Sequence, residues 1–76
     1  MIRTTIIEIL NDIDDEIADY DGTNLLEDGV IDSFTIMEIV SEIAERLKIN
    51  IKPDDITEVH FKTIDAMVEF VELLAK

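Results

Sequence analysis

Few residues of this chain are able to do chemistry, and one of them is singled out by its position. The run Asp28-Gly29-Val30-Ile31-Asp32-Ser33-Phe34 is an acidic stretch with a glycine in it. It leads straight into Thr35-Ile36-Met37-Glu38-Ile39-Val40, which has the spacing of an amphipathic helix. Ser33 falls at the junction. A hydroxyl at a helix start is exposed, held in place and close to the positive end of the helix dipole. That end favours anions, so a phosphate ester on Ser33 is electrostatically welcome. There is a structural alternative: serine and aspartate are both preferred N-caps, so Ser33 or Asp32 has a use that needs no ligand. Thr35 and Glu38 have the spacing of a capping box and offer a third way to close the first turn.

The remaining candidates point away from catalysis. His60 is the only histidine and there is no cysteine. A nucleophilic triad needs Ser33 and His60 to meet, with a carboxylate behind and an oxyanion hole in front. His60 reads instead as a half-exposed residue on a short helix. Paired carboxylates are everywhere in so acidic a chain and signal no acid–base work. Asp12-Ile13-Asp14-Asp15-Glu16-Ile17 begins like a calcium loop, but Ile17 stands where glycine is needed and Thr23 where the bidentate glutamate is needed. The expectation is a protein that is not an enzyme and holds no metal.

Four helical segments position these residues. Ile2, Ile6, Ile9, Leu10, Ile13 and Ile17 recur at three- and four-residue steps, which predicts one helix from Ile2 to about Asp19. Its C-terminal half is crowded with acids that the dipole disfavours, so its end is expected to fray near Tyr20. Asp21-Gly22-Thr23-Asn24 is a turn cluster that opens a long loop to Asp32, with Leu25, Leu26, Val30 and Ile31 as apolar beads that pin it. Gly29 is expected to supply a backbone angle that other residues resist. The next helix runs from about Ser33 to Lys48. Its inner stripe is Ile36, Val40, Ile43, Ala44 and Leu47, with Ile39 on one flank and Met37 on the other; Glu38, Glu42 and Glu45 lie opposite. After Pro53 comes a short helical segment to Phe61, with Thr57 or Asp55 as candidate caps. The last helix runs from Thr63, its N-cap, to about Ala75, with Ile64, Met67, Val68, Val71 and Leu74 facing in and Phe70 at the border. The predicted fold is all-α: a small three-to-four-helix bundle in one domain, residues 1–76, with a long loop between the first and second main helices.

The run Asn24-Leu25-Leu26-Glu27-Asp28-Gly29-Val30-Ile31-Asp32-Ser33-Phe34 resembles the prosthetic-group site of acyl carrier and peptidyl carrier proteins. In that family an Asp-Ser pair, usually followed by Leu or Met, opens the second helix, and the serine carries 4'-phosphopantetheine through a phosphodiester. The resemblance implies that Ser33 is the attachment residue and that Asp32 helps to position cation and cofactor during transfer. Phe34 stands where Leu or Met is commoner, a conservative departure. The resemblance spans the whole plan, and Ile56-Thr57-Glu58-Val59-His60-Phe61-Lys62-Thr63-Ile64 looks like the family's third-helix region, most of all in free-standing carriers of the D-alanyl type. Acids on the second helix of the family meet basic residues of its enzymes, so Glu38 and Glu42 become partner contacts. The family's frequent acid two residues past the serine is here Thr35. Phe34 and Met37 are either core-edge residues or an apolar patch beside the arm. The implied partners are a phosphopantetheinyl transferase, an acyl- or aminoacyl-activating ligase, and acyltransferase or synthase enzymes. Fatty acyl, polyketide, amino acid and D-alanyl cargo all remain open.

Composition sets the outer limits. Seventy-six residues allow one small core, with 47% apolar residues to fill it. Nineteen acidic against six basic residues give a formal charge of −13. Such a surface repels nucleic acid and anionic membranes. It favours partners with basic patches, and like charge argues for a monomer. No apolar run approaches the roughly 18 residues of a membrane span. Glu8 and Asn11-Asp12 interrupt any apolar run after Met1-Ile2-Arg3, so no signal peptide is read and the expected location is the cytoplasm. A second reading stays open from charge alone: an acidic helical adaptor that binds a basic partner without a prosthetic group. Replacing Ser33 separates the two, since an adaptor tolerates the change and a carrier does not.

Overall fold

A computed structural model describes residues 2–75. The order is α1 (Ile2–Ile13), α2 (Asp15–Ala18), α3 (Ser33–Leu47), two short 3-10 turns (Pro53–Asp55 and Glu58–Phe61) and α4 (Ile64–Leu74). Among the described residues there is no strand, and the all-α bundle with a long loop before α3 is what the sequence predicts.

The first expected helix is two helices. Asp14 leaves the helical path, with φ −168° and ψ 117°, and its carboxylate accepts from the Glu16 backbone N–H at 3.0 Å. The reason is electrostatic. In one continuous helix Asp14, Asp15 and Glu16 would crowd the negative C-terminal end. The break makes Asp14 an N-cap and moves Asp15 and Glu16 into a first turn, where the dipole favours them. Ile17 still reaches the core.

Each long helix buries one stripe. Ile6, Ile9 and Leu10 from α1, Ile36, Ile39, Val40 and Ile43 from α3, and Met67, Val68, Phe70 and Val71 from α4 are buried. Ile39 and Phe70, expected at the margins, are at the centre, while Ala44 and Leu47 lie nearer the edge. Helix α1 packs on both α3 and α4, and α4 packs on the second 3-10 turn. Phe61 from that turn is fully buried and meets Phe70 edge-on, with ring centroids 5.8 Å apart. This geometry is favourable for aromatic quadrupoles. The region after Pro53 does not form one helical segment. Asp55 lies inside the first 3-10 turn, and Thr57 precedes the second without a side-chain capping bond. Thr63 does cap α4, accepting from the Ala66 N–H at 3.0 Å.

Two exposed arginines tie the bundle together. Arg46 bonds Asp12 on α1 at 2.8 Å and Glu42 on its own helix at 3.0 Å, and Arg3 bonds Asp65 on α4 at 2.6 Å. The Asp12 carboxylate, followed by Glu42, holds the Arg46 guanidinium above its usual pKa. Asp12 is thus paired across the bundle and Asp14 caps α2, so both carboxylates have structural uses.

Candidate functional site

The loop from Asp19 to Asp32 delivers the start of α3. Leu25 and Ile31 are buried, and Leu26 and Val30 pack partly against the core, so the apolar beads hold it down as the sequence predicts. The Leu25 N–H donates to the Lys62 carbonyl at 2.7 Å, joining the loop to the segment before α4. The Leu25 carbonyl accepts from Val30 at 3.0 Å and Ile31 at 3.3 Å. Asn24 caps the turn between them: its side-chain oxygen accepts from Leu26 and Glu27, both at 3.0 Å. Gly29 ends the turn at φ 75°, in the left-handed region where glycine pays no steric penalty.

Sequence reasoning missed the clasp on this loop. The Tyr20 hydroxyl donates to the Asp28 carboxylate at 2.6 Å and accepts from the Asn24 N–H, also at 2.6 Å. Tyr20 is therefore a fixed point and not a frayed end. Partial desolvation, then the bond to Asp28, raises the phenol pKa. A Cβ on Gly22 would collide with the Tyr20 ring and hydroxyl, so the glycine makes room for the clasp. The available signal was a tyrosine one helical step before asparagine with a glycine between.

At the junction Asp32, not Ser33, is the N-cap. Its backbone is extended, its carboxylate accepts from the Thr35 N–H at 2.9 Å, and its carbonyl accepts from the Ile36 N–H at 3.0 Å. The Thr35 hydroxyl also points at this carboxylate, at 3.0 Å, so no Thr35–Glu38 capping box starts the helix. The Thr35 N–H and then its hydroxyl hold the Asp32 carboxyl below its usual pKa. Ser33 is consequently the first helical residue. Its side chain is exposed, and among the described residues no group bonds its hydroxyl.

The neighbours of Ser33 on α3 fall into two kinds. Phe34 is 75% exposed and Met37 52% exposed, which decides the open alternative: both are surface residues beside the hydroxyl and not core margin. Glu38 is also exposed, whereas Glu42 is half-buried in its ion pair with Arg46. His60 stacks flat on Phe70, with centroids 4.2 Å apart, on the second 3-10 turn.

The Ser33 hydroxyl is exposed, on a fixed backbone and with open surroundings, so a reagent can reach it. A phosphodiester fits here: the position is open to solvent, the first turn of α3 supplies a positive end, and Asp32 is already engaged with Thr35. Among the described residues no cluster of side chains is suited to holding a metal ion, and no helix is long and apolar enough to cross a membrane. A family model described as a phosphopantetheine attachment site matches residues 2–71. No curated protein matches the chain. The family match takes in every helix and both 3-10 turns except the last residues of α4, and the chain therefore belongs to the phosphopantetheine attachment-site family, non-catalytic carriers that hold 4'-phosphopantetheine covalently on a serine.

Proposed function

We propose that this chain is a free-standing acyl carrier protein in one domain, 1–76, with 4'-phosphopantetheine attached at Ser33. The observation that carries the reading is the exposed Ser33 hydroxyl at the first turn of α3, left unused because Asp32 does the capping. The chain has one other serine, Ser41. It lies in the middle of α3, where backbone donors are already bonded within the helix and no positive end is at hand.

In this reading a transferase brings coenzyme A to the junction. The Ser33 oxygen forms the new bond to phosphorus and loses its proton, and the nucleotide part of coenzyme A leaves. Asp32 keeps the first turn closed and its charge beside the incoming cation. When bound, the group supplies a thiol on a flexible arm that holds acyl or aminoacyl cargo as a thioester. The protein contributes tethering, hence high effective concentration, and a surface that partners read. Phe34 and Met37 offer that surface apolar anchors, and Glu38 and Glu42 offer charge. The partners are a phosphopantetheinyl transferase, an activating ligase and acyl-handling enzymes in the cytoplasm. The region from Ile56 to Ile64 supports the D-alanyl type among the possible cargoes.

Incubation with a fluorescent coenzyme A analogue and a broad-specificity transferase tests the site. Wild type and Ser41→Ala become labelled and Ser33→Ala does not. Label on Ser33→Ala ends the reading. The size of the native protein in cells tests whether it stands alone.

A further inference from the structure

Helix α4 is more apolar than one buried stripe requires: eight of its eleven residues are apolar. Four of them are buried, but Leu73 is 62% exposed. Val59, on the second 3-10 turn, is likewise 62% exposed. These two side chains border one groove, of ≈ 230 Å³, together with Ala66, Phe70, His60 and Glu69. Ala66, Phe70 and Leu73 follow one another at helical steps, so they form a second seam along α4 beside the core face. The His60 ring lies stacked on Phe70, so a pair of near-parallel rings lines the groove. Leu73 also borders the adjoining groove with Ile2, Glu69 and Glu72, which extends the apolar track toward the end of the helix.

Size and charge say what fits. The groove is smaller than typical small-molecule sites, which hold about 300–1,000 Å³, and is matched to one or two inserted side chains. Its rim carries Glu69, with Glu72 at the next turn. A second copy of the chain would bring another formal charge of −13 to an already acidic rim. A basic segment meets attraction instead. We propose that the α4 face around Val59 and Leu73 is a docking groove for a basic amphipathic helix of a partner protein, which inserts one large apolar side chain and pairs its cations with Glu69 and Glu72. This surface contains none of the residues around Ser33, and it does not depend on Ser33 being modified.

The test is a titration of the isotopically labelled full chain with a synthetic amphipathic helix of leucine and lysine, followed by amide chemical shifts. The largest shifts are expected at Val59, Ala66 and Leu73. Leu73→Glu is expected to weaken binding about tenfold, the usual scale for loss of one anchor. Thr23→Glu, which adds the same charge at an exposed loop position given no part in binding, is expected to leave affinity within about twofold. Both positions are exposed, and circular dichroism verifies that both variants fold. Shifts centred on Phe34 and Met37, shifts spread over every acidic surface, equal losses in the two variants, or no saturable binding each overturn the proposal. So does self-association through this face. Labelling at Ser33 is read separately, so either idea is able to fail without the other.

Discussion

Replacing Leu25 with alanine probes how Ser33 is held in place. Leu25 is fully buried, its N–H bonds Lys62, and its carbonyl bonds Val30 and Ile31. Truncating a buried leucine costs about 2–5 kcal/mol, the transfer loss plus the residual cavity. A chain of this length has roughly 4–11 kcal/mol of stability in total. A central loss of about 3 kcal/mol lowers the melting temperature by about 12–24 °C in a domain of this size. The effect is not only global. Val30 and Ile31 hang on the Leu25 carbonyl, so their amides are expected to exchange faster than the loss of global stability explains. Ile9→Ala, also fully buried but on α1, serves as the matched control. The assays are thermal melting by circular dichroism and native-state hydrogen exchange. A loss below about 1 kcal/mol, or equal loop exchange in the two variants, refutes the claim that Leu25 anchors the loop.

The other predictions are smaller. Gly29→Ala has no neighbour to clash with, so its expected cost of about 1 kcal/mol is purely that of placing a Cβ at φ 75°; Gly29→Asn is expected to cost less. The Asp32 carboxyl titrates lower folded than unfolded, so its contribution to stability is complete above about pH 4 and is lost as pH falls through the lower folded value. Carbon-detected NMR titration should give a midpoint below the ordinary aspartate value, and Thr35→Val, which removes one of its two donors, should move it upward. With a charge of −13, raising salt from low ionic strength to about 0.15 M is expected to raise the melting temperature by screening self-repulsion over about 8 Å, and a flat or falling curve contradicts this. Glu38→Lys is expected to lower transferase kcat/KM about tenfold and to flatten its salt dependence, with no change in melting temperature beyond about 3 °C.

Local chemistry was the part of the molecule most legible in the sequence. Thr63 as a cap, the bend at Gly29, the core-facing isoleucines and the loop's apolar beads follow from residue type and spacing. So does the exposed hydroxyl at the loop–helix junction. What spacing left hidden depends on contacts between distant segments or on competition between local solutions. The Asp14 break arises because three acids gain more from a new helix start than from a longer helix. The Arg46–Asp12 pair joins α3 to α1, and nothing in either helix alone announces it. The Tyr20 clasp needs the loop to fold back on the end of α2 before its hydroxyl finds Asn24 and Asp28. Ile39 moved from margin to centre on α3, where it is fully buried, and Phe70 did so on α4, where the buried Phe61 ring meets it edge-on. Asp32 won the cap from Ser33 and from Thr35 through its backbone angle, which the sequence does not display.

The most direct measurement is the intact mass of the protein after incubation with coenzyme A and a broad-specificity transferase, followed by fragmentation to locate the addition. A gain of one phosphopantetheinyl group is expected, carried on the fragment containing Ser33 and absent from Ser33→Ala. No gain on the wild type, or a gain that maps to Ser41, contradicts attachment at Ser33.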